Sequence, residues 1–246
     1  MQVRSMTIKI GVLAGVACLA AACGSSTSST SAAPSSAKPS GTHVLAGTFD
    51  IAPGTCTTGT ATPGGSWFQM LGHGGAVVKN SFGGCANPDY TPLKPGTKGG
   101  LVSGTYEPNP TPAFSGSNAL ADEIVKPVSF FGSDFALATQ AVDPQTGKSV
   151  PKPSVTSTAG VLSGNLEAID AAYNGAYFNQ GSPKPGGTYP GTTKAVSGTI
   201  SCSGNYTLEW QSLIVGGAFN GYTGVWHLTG TFVPAAGTSL AKALGC

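Results

Sequence analysis

Two stretches near the C-terminus constrain the fold more than anything else in the chain. NYTLEWQSLIV (205–215) alternates, with Tyr206, Leu208, Trp210, Ser212 and Ile214 on one face and Thr207, Glu209 and Gln211 on the other. YTGVWHLTGTFV (222–233) repeats the pattern, with Tyr222, Trp226, Leu228 and Phe232 on one face and Val225, His227, Thr229 and Thr231 on the other. An antiparallel register that opposes Trp210 to Trp226 and Leu208 to Leu228 keeps both apolar faces on one side. It leaves VGGAFNG as the connecting loop and sets Glu209 opposite His227. A slip of one residue would turn the indoles toward water, so this pairing is strongly specified.

Similar runs recur upstream: THVLAGTFD (42–50), SWFQML (66–71), GAVVKN (75–80), GLVSGTYE (100–107), VSFFG (128–132), DFALATQA (134–141) and TKAVSGTIS (193–201). Turn clusters such as TPGG (62–65), PNPTP (109–113), DPQTGK (143–148) and SPKPGG (182–187) separate them. The spacing predicts an all-β domain, an antiparallel barrel or sandwich, with one or two short helices. SNALADEIVK (117–126), with Asn118 as its cap, is the first helical candidate. GNLEAIDAAYNGAYF (164–178) is the second, with Leu166, Ile169 and Tyr173 at helical spacing and Asn174-Gly175 as its end. A small-Gly-Thr-apolar echo at Gly47, Gly104, Gly198 and Gly230 raises the question of a geometric role, because glycine inside a strand costs stability.

The N-terminus carries an address. A basic start (Arg4, Lys9) leads into an apolar run from Ile10 to Ala22 that is too short to span a bilayer and ends in small residues. Leu19-Ala20-Ala21-Ala22-Cys23 resembles the lipobox of bacterial lipoproteins, with Ala20 where leucine is usual; that resemblance implies a signal peptide over 1–22, cleavage before Cys23 and its lipidation. Residues 24–42, almost wholly small and polar, cannot bury enough apolar surface to offset chain entropy and are read as a tether. One all-β domain is expected over 43–246. Two or three acyl chains suffice for stable attachment, which puts the protein on the outer face of a bacterial cell membrane.

Charge excludes one class of partner. The chain has 12 Lys+Arg against 10 Asp+Glu, and removing Arg4 and Lys9 with the signal leaves 10 against 10 and no arginine. Phosphate and base-edge recognition depend on arginine forks and clustered positive charge, so no nucleic-acid partner is expected. Beyond Cys18 and Cys23, four cysteines remain. In an exported chain they are read as two disulfides with three pairings open, of which Cys56–Cys85 and Cys202–Cys246 is favoured because each closes a moderate loop. With no C-x-x-C pair and no histidine at ligand spacing, neither zinc nor another metal is expected, and no cofactor.

Chemistry is sparse. Glycine-serine elbows, paired metal-binding histidines, phosphate loops, kinase signatures and EF-hand loops are missing. LGHGGA (71–76) reads as a turn, with His73 solvated. Glu209 and His227 are the weak catalytic candidates: such a pair can exchange protons in a cleft, or serve as an ordinary cross-strand pair. Asp50, Glu107 and Asp134 are carboxylates at strand ends from which a glycosidase pair could be drawn. Tyr90, Tyr106, Phe178 and Tyr189 stand beside turn residues, either as a sugar platform or as plugs for the core.

FNQGSPKPGG (178–187), YTLEWQSLIVGGAFNGYTGVWHLTGTF (206–232) and DPQTG (143–147), together with GSWFQM and YTPLKPGTKGGLVSGTY, resemble an uncharacterised domain of exported bacterial proteins, including actinobacterial lipoproteins and proteins with a C-terminal sorting tail. The resemblance implies an export context and brings no activity, cofactor or catalytic residue. The expectation is therefore a lipid-anchored envelope protein that binds or builds, with a glycan or an envelope protein as ligand. A carbohydrate-directed envelope hydrolase and a lipid carrier are the alternatives.

Overall fold

The computed structural model describes residues 38–56, 62–185 and 194–246, all within one compact unit, Ser36–Cys246. The chain begins with β1 (Thr42–Leu45), β2 (Gly47–Ile51), β3 (Trp67–Leu71), β4 (Val77–Val78), β5 (Thr91–Pro92) and β6 (Gly100–Ser103). A small hairpin, β7 (Phe114–Ser115) and β8 (Asn118–Ala119), precedes β9 (Val128–Phe130) and β10 (Ser133–Thr139). Next come β11 (Ser154–Thr158), β12 (Val161–Asn165), β13 (Ile169–Tyr173) and β14 (Ala176–Asn179). The chain closes with β15 (Lys194–Ile200), β16 (Asn205–Leu213), β17 (Thr223–Pro234) and helix α1 (Leu240–Leu244). The all-β expectation holds, with α1 the α-helix among the described residues.

One large antiparallel sheet runs β1-β11-β12-β15-β16-β17-β2-β6, and β3 pairs with the first half of β17 while β2 takes the second half. Its two ends nearly meet: Gly104 N–H, just past β6, donates to Pro153 O at 2.8 Å, and Val155 N–H of β11 donates to Ser103 Oγ at 3.1 Å. The result is a nearly closed barrel. A second sheet, β14-β13-β10-β9, contributes Phe130 and Phe135 to the same core as Phe68 and Trp226.

The predicted register is the observed one. Leu208 faces Leu228, Glu209 faces His227 and Trp210 faces Trp226. Tyr206, Leu208, Trp210, Trp226, Leu228 and Phe232 are buried, whereas Thr207, Glu209, His227 and Thr229 lie on the outer side. Ile214 and Tyr222 close the last rung, so VGGAFNG is the loop. Both favoured disulfides are present, Cys56–Cys85 and Cys202–Cys246.

Both helix expectations are corrected. Around Asp122–Ile124 the backbone carbonyls accept from Thr97, Lys98 and Gly96, so a distant segment takes the hydrogen bonds a helix would have kept for itself. The 164–178 stretch is strand, turn and strand: Asn174 and Gly175 adopt φ 48° and 76°, joining β13 to β14 as a two-residue hairpin turn. Asn-Gly is the preferred dipeptide for that turn, because both positions need positive φ.

The glycine echo is structural at three of its four members. A Cβ on Gly230 would lie 1.8 Å from Asp50 O, one on Gly198 1.9 Å from Thr207 O, and one on Gly47 2.2 Å from Val233 O. Neighbouring backbones pass where any side chain would stand. Gly104 meets nothing and owes its place to φ 99°.

Candidate functional site

On the outer face of the large sheet, pairing across four strands aligns Ser197 (β15), Glu209 (β16), His227 (β17) and Trp67 (β3), with Pro92 of β5 next. His227 Nδ1 lies 2.7 Å from Glu209 Oε1, and the imidazole stacks on Trp67 at 4.8 Å and 7°. Tyr90 packs edge-on against Trp67 at 4.9 Å. The histidine side chain is 19% exposed and the glutamate 53%. The ring is thus clamped between a carboxylate and an indole, with Nδ1–H donated to Glu209 and Nε2 left open.

This order does not build a nucleophile. In a hydrolytic triad the imidazole stands between serine and acid; here Glu209 stands between Ser197 and His227. Two strand spacings, about 10 Å, separate the serine from the imidazole. The pair is a cross-strand contact on a solvated face, worth on the order of 0.2–1 kcal/mol.

The next row of the same face is Val161, Thr199, Thr207 and Thr229. Beside it lies a groove of about 750 Å³, walled by Thr199, Ser201, Ser203, Asn205, Thr207 and Thr229, with Lys38 and Val161 at its rim. Threonine and serine hydroxyls and the Asn205 amide alternate there with apolar ground that includes Pro39 and Ile200. Lys38 is its charged group.

The other candidates disperse. Glu107 is buried with Oε2 accepting from Val102 N–H at 2.9 Å, and burial pushes its carboxyl up to about 7 against that bond. Its charged neighbours are Glu123 and Lys98, not Asp50 or Asp134. Tyr106 OH donates to Val150 O, Phe178 packs against the core, and His73 sits in an exposed turn edge-on to Tyr222. Tyr189 and Cys23 lie outside the described residues. Among the described residues no three His, Cys, Asp or Glu side chains form a metal-holding group.

A second polar site was not foreseen. Asp143, Asp170, Asn179 and Lys184 are all buried. Asn109 Nδ2–H donates to Asp170 Oδ2 at 3.0 Å, and Thr146 donates to Asp143 Oδ2 from both its N–H and its hydroxyl. Oδ1 of each aspartate is unpartnered. Burial raises Asp170 to about 7, the Asn109 bond opposing and the Asp143 charge adding to the rise; burial lowers Lys184 to about 7, with Asp143 opposing. Asp143 and Lys184 belong to turn clusters, whose composition signals solvent rather than burial.

Between the two sheets lies an apolar cavity of about 50 Å³, lined among others by Phe68, Phe130, Phe135, Tyr173, Phe219 and Trp226. Set against known proteins, the chain matches no family model, no curated protein and no solved structure.

Proposed function

We propose that the chain is a lipid-anchored binding module on the outer face of a bacterial cell membrane, and that it receives a neutral glycan on the outer face of the large sheet. The groove beside Thr199, Thr207 and Thr229 carries this reading. It is an open, shallow groove, the form that an extended chain of sugar units could lie along. Its threonine and serine hydroxyls suit sugar hydroxyls, and the apolar ground between them suits ring C–H groups. Trp67 and Tyr90, half-buried in the adjoining row, offer apolar ground for the C–H side of a sugar ring. The Ser197–Glu209–His227 order favours binding over hydrolysis. A lipid carrier would need several times the apolar space seen between the sheets. Lipid attachment at Cys23, export and the envelope location rest on the N-terminal sequence.

Calorimetric titration of the purified mature protein with neutral glucan, mannan and peptidoglycan-strand oligosaccharides should give saturable binding to one class. Thr207→Lys, which puts a long charged side chain into the groove, and Trp67→Ala should each weaken it at least about tenfold, or 1.4 kcal/mol. Glu209→Gln should change it less than either. No binding to any class, or binding indifferent to both substitutions, would sink the glycan reading. The anchor is tested separately: Cys23→Ala should release the protein from the membrane fraction, and unchanged membrane association would refute lipid attachment at this residue.

A further inference from the structure

Lys184 sits in a proline- and glycine-rich turn, yet it is 7% exposed. Its Nζ contacts two atoms of one residue: it donates to the backbone carbonyl of Asn179 and, at 3.3 Å, to Asn179 Oδ1. Among the described residues no carboxylate forms an ion pair with it. Asn179, 1% exposed, is held at both ends of its carboxamide. Oδ1 accepts from Gly181 N–H at 3.0 Å, and Nδ2 donates to Glu167 O at 2.7 Å. Asp170 lies directly opposite Asn179 in the β13–β14 pair. Opposed residues of an antiparallel pair share a face, with Cβ atoms about 5 Å apart. Asn179 thus has a buried amine on its carboxamide and a buried carboxyl, with one free oxygen, facing it across the strand pair.

We infer that Lys184 and Asn179 become joined by an intramolecular isopeptide bond, formed by the protein's own buried groups without an enzyme.

The chemistry balances. Lys184 Nζ attacks Cγ of Asn179, and the Gly181 N–H steadies the oxygen as it gains charge. Asp170, entering protonated, gives its proton to Nδ2 and takes one back from Nζ. The Cγ–Nδ2 bond breaks, ammonia leaves, and the Nζ–Cγ amide remains. Nothing is oxidised or reduced, and Asp170 ends as it began. Burial supplies the required protonation: it lowers the lysine and raises the aspartate until both titrate near 7, so a free amine and a protonated carboxyl coexist at neutral pH. The inference stands apart from the glycan reading, since it concerns a different sheet and needs no ligand.

Trypsin does not cut Lys-Pro bonds, and prolines follow both Lys152 and Lys184, so digestion of the full purified protein yields one peptide over residues 149–194. Its mass should be lower than the sequence mass by one ammonia, and fragmentation should give no backbone ions between residues 179 and 184. Lys184→Met, which keeps much of the side-chain bulk, should restore the full mass, and so should Asn179→Ala. A wild-type peptide of full mass overturns the inference. So does an ammonia loss that persists in Lys184→Met, which would mark a succinimide at Asn179 or at the Asn174-Gly175 pair of the same peptide.

Discussion

Trp226→Ala is expected to lower the free energy of unfolding by about 3–5 kcal/mol, the range for emptying a large aromatic from a core. The indole is 1% exposed and meets Phe68 at 4.5 Å, Trp210 at 5.9 Å and Phe135 at 6.0 Å, so both sheets lose packing together. Its Nε1–H donates to Gln180 Oε1 at 3.2 Å, while Trp210 Nε1–H donates to the carbonyl of the same residue at 2.8 Å. Gln180 thus ties the segment after β14 to the two indoles at the centre of the barrel. Trp226→Phe keeps most of the ring but strips that buried amide oxygen of its donor, a loss of about 1–3 kcal/mol. Urea denaturation followed by far-UV circular dichroism separates the two costs. A loss under about 1 kcal/mol for Trp226→Ala would show that the two sheets do not share this core.

The second large effect lies at the Cys202–Cys246 bridge. Helix α1 has five residues, far too few to persist on propensity. Ser239 caps it, its Oγ accepting from Lys242 N–H; Gly245 ends it at φ 69°; and Leu244 is fully buried. The bridge ties this segment to the turn between β15 and β16 across a separation of 44 residues. Removing it by Cys202→Ser should lower stability by about 2–4 kcal/mol, within the range for native disulfides. The double change Cys202→Ser/Cys246→Ser should cost nearly the same as either single, because the two sulfurs act as one unit. Additive costs in denaturant titrations would instead mean that each cysteine packs independently. The corresponding loop at Cys56–Cys85 spans 29 residues, and loop-closure entropy separates the two bridges by only about 0.4 kcal/mol.

What could be read from residue order was whatever repeats locally. The Trp210–Trp226 register follows from period-two alternation on two long strands, and a one-residue slip would have exposed both indoles. Residue order leaves three cysteine pairings open, and loop length favours the one the structure has. The 164–178 hairpin was misread because Leu166, Ile169 and Tyr173 fit a helical face as well as a strand, and Asn174-Gly175 can end one or turn the other. The Asn-Gly dipeptide between apolar runs was the signal that decides it. Asp170 and Lys184 were illegible for a different reason. Their burial comes from segments far away in sequence, such as Asn109 and the Asp143 turn, and nothing near Lys184 in the chain announces it. The outer-face row was half legible: the Glu209–His227 rung was visible, but the Trp67 that pairs with His227 is supplied by a strand some 160 positions earlier.

The length of β17 sets two different surfaces of the domain apart. Its 12 residues extend about 40 Å, and β16 runs beside it in the opposite sense. Lys38, where the described chain begins, lines the groove with Asn205, at the root of β16; VGGAFNG caps the other end of the hairpin, with Phe219 packed on Phe130 and Phe131. The hairpin therefore carries two unlike surfaces at its two ends: threonine and serine hydroxyls beside Asn205, and the phenylalanine cluster around Phe219 beyond Leu213.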